Sequence, residues 1–142
     1  MGFPGNWWRR SSAPAQRDEV SEKVQDTELL ARFLPDSKMF SSNGVRSSAF
    51  MPRKGSVSVF RITGMDDERI RGIGVAVLPI KPPKARAEIV AERVYAAGLS
   101  LEPDNKPEFH VNITGWPADS AKDEQKLLAL QLASASTLKL HN

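Results

Sequence analysis

Cysteine is absent from this 142-residue chain. That excludes disulfides, zinc–thiolate sites, iron–sulfur clusters and a cysteine nucleophile, and it fits a reducing cytoplasm. Long apolar runs are also missing. No stretch approaches the roughly 20 residues needed to cross a bilayer, so no membrane span is expected. Histidine is scarce, with two residues in all, and no metal-ligand spacing involves them. Neither a metal nor a cofactor is expected. Gly72-Ile73-Gly74 lacks the third glycine and the preceding strand of a dinucleotide fingerprint, and there is no Walker motif and no G-x-S-x-G elbow. Trp7, Trp8, Arg9 and Arg10 stand near the start without a following apolar run, so an ordinary secretory signal is not expected.

What the chain does contain is the composition of one globular domain: 40% hydrophobic and 26% charged residues. The formal charge of +3 permits contact with phosphate or nucleic acid without requiring it. Met1 to Lys23 is polar and Pro-containing, with no apolar period, and cannot offset its conformational entropy by burial. Residues 1–23 are therefore expected to form a disordered arm, with a single domain over 24–142.

Within the domain, Asp26 or Thr27 followed by Leu29, Leu30, Phe33 and Leu34 predicts a short helix ended by Pro35. Asn43-Gly44 predicts a turn. Val45 to Met51 and Ser56 to Thr63 predict a hairpin around Pro52-Arg53-Lys54-Gly55. Asp66 and Asp67 open a helix that carries Ile70, Ile73 and Val77. Residues 84–97 fit either one helix or a strand over 85–90 with a helix after it. Leu99 to Glu102 and Phe109 to Thr114 predict strands. Asp119 or Ser120 caps a final helix with Leu127, Leu128, Leu132, Ala135 and Leu138 on its core arc.

The segment richest in chemistry is His110-Val111-Asn112-Ile113-Thr114. Alternation along a strand sends Val111 and Ile113 to the core and places His110, Asn112 and Thr114 in a row on the other face. An imidazole there can serve as general acid or base, or the row can be the solvated face of an antiparallel sheet. Arg46 and Arg61 on the expected hairpin would complete an anion site if they met His110. Trp116, between Gly115 and Pro117, either seals the core or walls that site.

Three segments carry a resemblance. Val45-Arg46-Ser47-Ser48-Ala49-Phe50-Met51-Pro52, Ser58-Val59-Phe60-Arg61 and His110-Val111-Asn112-Ile113-Thr114-Gly115-Trp116-Pro117 resemble a group of small uncharacterised bacterial proteins sharing S-A-F-x-P, S-V-F-R and H-x-N-I-x-G-W-P in this order. The resemblance spans roughly residues 26–138. It implies a bacterial source and a single domain holding all three segments, favours the strand-then-helix parse of 85–97, and carries over no activity.

The expected architecture is α+β: a mostly antiparallel sheet with helices packed on one face. The expected role is a cytoplasmic interaction module that binds a protein partner or a small anionic ligand. The alternative is a small enzyme acting on a nucleotide or nucleic-acid phosphate through His110, Arg46 and Arg61. A nucleic-acid binder using the basic arm is a third reading.

Overall fold

A computed structural model describes residues 22–141, and the expected arm over 1–23 lies almost wholly outside them. Six strands form one sheet: β1 (Leu29–Leu34), β4 (Val57–Arg61), β5 (Ala85–Val90), β6 (Ser100–Pro103), β7 (His110–Thr114) and β8 (Thr137–Leu140). Their spatial order is β6-β7-β4-β1-β5-β8, with every neighbouring pair antiparallel. Two short strands, β2 (Phe40–Ser41) and β3 (Gly44–Val45), make a separate hairpin closed by a turn at Ser42-Asn43, one residue before the expected Asn43-Gly44. The helices are α1 (Asp67–Val77), α2 (Ala91–Ala96) and α3 (Lys122–Ala135). The chain is thus an α+β domain built on an antiparallel sheet.

The main core lies on one face, under α2, α3 and a 3₁₀ turn at Ser47–Phe50. Leu30, Leu34, Val59, Val111 and Ile113 point into it from the strands, and Phe50 and Leu132 meet them with no exposed surface. On the opposite face α1 lays Ile70 against Ala31, Phe33, Phe60 and Ile62. The expectation of helices on one face therefore describes α2 and α3, while α1 covers the middle of the other. Asp66 caps α1 by accepting from the Arg69 backbone N–H at 2.8 Å. Gly74 lets α1 approach closely, because a Cβ there would stand 3.0 Å from the Phe33 ring and from Pro83.

Several local expectations are corrected. Leu29–Leu34 is the strand β1, not a helix. It is buried on both faces, and a strand of that kind shows a continuous apolar run that mimics a helical stripe. The expected hairpin does not form. Ser47–Phe50 is a 3₁₀ turn, and β4 pairs with β1 and β7 instead. Residues 85–97 follow the strand-then-helix parse. On α3 the buried positions are Gln125, Ala129, Leu132 and Ala133, whereas Leu127 is 68% exposed. Leu138 belongs to β8. The α3 cap position is Ala121, without a side-chain cap bond. The buried Gln125 amide anchors that end by donating to the Pro117 carbonyl at 2.9 Å.

β1 and β4 are the central strands of the sheet, yet they pair only at Leu30↔Arg61 and Ala31↔Phe60. β1 continues to Leu34 paired with β5, and β4 starts at Val57 paired with β7. The sheet is therefore zipped at the Arg61 end and parted at the Arg32 end.

Candidate functional site

Where the strands part, the side chain of Arg32 takes the place of the missing ladder. Its Nε donates to the Ala49 carbonyl at 2.8 Å and an Nη donates to the Ser58 carbonyl at 3.2 Å. No carboxylate among the described residues pairs with it. Burial, and after it the charge of Arg53, pulls this guanidinium down to about 10. It remains charged at neutral pH.

Two cavities adjoin there and share Arg32, Phe33 and Leu78. One, of about 500 Å³, has Ser58, Phe60 and His110 in its wall. The other, of about 610 Å³, adds Ser48, Arg53 and Lys122. Both fall in the size range of small-molecule sites.

Beside Arg32, on the face bearing α1, lies a chain of three side chains. His110 Nδ1 stands 2.7 Å from Asp104 Oδ1, and His110 Nε2 stands 3.0 Å from Ser58 Oγ. With a carboxylate accepting at Nδ1, the neutral ring carries its proton there, and Nε2 accepts from the Ser58 hydroxyl. Cross-strand register brings these groups together. Phe60 faces His110 and Ser58 faces Asn112, so Ser58 and His110 are diagonal neighbours on one face. The imidazole rests against the Phe60 ring, with centroids 5.3 Å apart.

The β6–β7 connection holds the acid. Asp104 Oδ1 also accepts from the Lys106 backbone N–H at 3.0 Å, and Oδ2 accepts from Asn112 Nδ2 at 3.1 Å. Burial pushes the Asp104 carboxyl up, but the hydrogen bonds from His110, Lys106 and Asn112 outweigh it and leave it below the ordinary aspartate value. Phe109, next to His110, has φ 73°. A bulky residue in that region is a backbone outlier of the kind that clusters at functional sites. Its N–H donates to Asn105 Oδ1 at 2.8 Å, which helps to hold the loop in shape.

His110, Asn112 and Thr114 share one face, on which Thr114 donates to Glu102 Oε2 at 2.9 Å. Arg61 is elsewhere. It points to the core face at the zipped end, bound to Glu28 at 2.9 Å and to the Glu22 carbonyl at 2.8 Å. Arg46 is exposed and lines a shallow depression with Ser41, Asn43 and Leu130. Neither arginine is among the residues that line the cavity of His110. Trp116 packs half-buried against the main core and donates to the Ile113 carbonyl at 2.9 Å.

Ser58, Asp104 and Arg32 were not singled out by sequence. Ser58 had a usable signal, since it alternates with Val57 and Val59 onto the polar face. Asp104 stands six residues before His110 across a turn. Arg32 had none once its strand was read as a helix. Among the described residues no group of His, Asp or Glu could hold a metal ion, and no helix is long and apolar enough to cross a membrane. No family model, curated protein or solved structure matches the chain, so its own residues carry the functional reading.

Proposed function

We propose that this domain binds a small anionic ligand in the cleft where β1 and β4 part, with Arg32 as its principal contact. The observation that carries this reading is a charged guanidinium, desolvated by the fold, that lines two adjoining cavities and has no carboxylate partner among the described residues. A half-buried, desolvated charge without a counter-charge carries a cost, and an anion entering from solvent relieves it. The planar guanidinium suits a carboxylate or phosphate, and Arg53 and Lys122 in the second cavity add positive potential.

Titrating inorganic phosphate and succinate into the full chain, followed by calorimetry, tests this reading. Saturable binding of at least one of them, weakened tenfold or more in Arg32→Met, is expected. Equal binding by wild type and Arg32→Met would remove the basis for the proposal. Arg46→Met serves as the control, because that residue is exposed and apart from the cleft.

A further inference from the structure

Anion binding makes no use of the Ser58–His110–Asp104 chain, although Ser58 and His110 line the same cavity as Arg32. We infer that these three side chains form a hydrolytic relay that cleaves small carboxylic esters bearing an anionic group. The relay stands on its own geometry, and only the anionic character of the substrate rests on the Arg32 reading.

The arrangement meets the geometric tests for an activated nucleophile. The hydroxyl lies within hydrogen-bond reach of the base, and the base is oriented through its other nitrogen by a carboxylate. That carboxylate is itself fixed by two further donors. Of the nine residues lining the cavity, only Arg32, Ser58 and His110 have polar side chains. An ester placed there has an apolar wall, one nucleophile and one cation.

The chemistry closes without a further reactant beyond water. Ser58 Oγ attacks the ester carbonyl carbon as its proton passes to His110 Nε2. The carbonyl carbon's bond to the alcohol oxygen breaks, and the departing alkoxide takes that proton. Water then loses a proton to His110 and attacks the acyl-serine. Ser58 leaves with the proton returned from Nε2, so ester and water become acid and alcohol. Asp104 keeps the ring proton at Nδ1 and stabilises the imidazolium. It touches no reacting atom and is a positioning residue.

The test uses a fluorophosphonate probe with mass spectrometry, together with hydrolysis of 4-nitrophenyl hemisuccinate and of the neutral 4-nitrophenyl butyrate. The expected result is a one-to-one adduct on Ser58 in the wild type. Hemisuccinate turnover should fall at least 100-fold in Ser58→Ala and in His110→Ala. Asp104→Asn should lower kcat more than it raises KM, and should change the pH profile of kcat. Arg32→Met should narrow the preference for the anionic ester. A wild-type protein with no adduct at Ser58, or hydrolysis that survives Ser58→Ala, overturns the relay, whatever phosphate does at Arg32. An adduct with Ser58-dependent hydrolysis but no preference for the anionic ester supports the relay and removes the anion reading instead.

Discussion

The two ends of the β1–β4 seam handle an arginine in opposite ways. At the zipped end Arg61 is 8% exposed and is answered by Glu28, whose two carboxylate oxygens accept at 2.9 and 3.1 Å. At the parted end Arg32, among the described residues, donates only to carbonyl oxygens and feels the repulsion of Arg53. A third arginine, Arg86, is 4% exposed and repeats the first pattern, with Asp67 at 2.9 Å and Glu88 at 2.8 Å. The fold therefore supplies carboxylates to Arg61 and Arg86. At Arg32 it supplies space. The difference separates arginines paired with carboxylates from one that lines two open cavities.

The largest effect expected from this contrast is on stability. Glu28→Ala takes the carboxylate away from the 8%-exposed Arg61 and should cost about 3 kcal/mol, the lower end for breaking a buried pair because Glu28 is partly exposed. Arg32→Met removes two hydrogen bonds to carbonyls but also an uncompensated charge, and should change stability by about 1 kcal/mol or less. Urea unfolding of both variants compares the two ends directly. Similar losses in the two would show that both arginines are structural.

The second effect is linkage. If phosphate binds the folded chain alone, a concentration of 100 times its Kd should stabilise the wild type by about 2.7 kcal/mol, and Arg32→Met by far less. Glu28→Ala, though less stable overall, should keep the full phosphate increment, because the zipped end does not touch the cleft. Loss of the increment in Glu28→Ala would mean that the two ends are not independent.

Sequence alone left residues 85–97 open between one helix and the strand-then-helix parse that the resemblance favoured, but reached the antiparallel α+β class, the opening of α1 at Asp66 and Asp67 and the polar row of His110, Asn112 and Thr114. These rest on local signals: a capping acid, period-two alternation, a proline or a glycine. The seam was not legible because β1 is buried on both faces, which erases the alternation that marks a strand. Misreading β1 hid Arg32, and the turn signal at Pro52-Arg53-Lys54-Gly55 suggested a hairpin that would have grouped Arg46 and Arg61. One of the three side chains of the Ser58–His110–Asp104 site was visible. His110 and the polar face of its strand were evident, but its partners come from a neighbouring strand and from across a turn, which only register reveals.

A smaller effect should follow from giving the parted end its own acid. Ser48 is exposed and lines the cavity with Arg32, Arg53 and Lys122. Ser48→Asp places a carboxylate among these cations and competes with a ligand anion for them. Phosphate affinity should fall by about tenfold, equivalent to about 1.4 kcal/mol, and Ser48→Asn, of the same size without the charge, should bind phosphate much as the wild type does. Equal weakening by both substitutions would point to lost space, not to charge.

The smallest expected effect concerns the acid-paired side of the comparison. His141 Nε2 lies 3.0 Å from an Nη of Arg86, and so serves as an acceptor only while the ring nitrogen is unprotonated. Burial, then the charges of Arg86 and Arg71, lower the His141 pKa, against an opposing pull from Asp67. The folded chain therefore takes up this proton at a lower pH than the unfolded chain, whose histidine titrates near 6.5. Above that pH both states are neutral at this site, and its contribution is complete. As pH falls below about 6.5 the unfolded chain binds the proton first, and stability declines until the folded-state pKa has also been passed. His141→Gln offers Arg86 an amide oxygen that does not titrate over this range. Urea midpoints at pH 7.5, 6.5 and 5.5 should converge between wild type and His141→Gln at the alkaline end and separate at the acid end, with the variant holding its stability better. His110, present in both proteins, cancels in the difference. A difference that is flat with pH would mean that protonation of His141 does not disturb Arg86, and that the carboxylates of Asp67 and Glu88 alone hold this arginine in place.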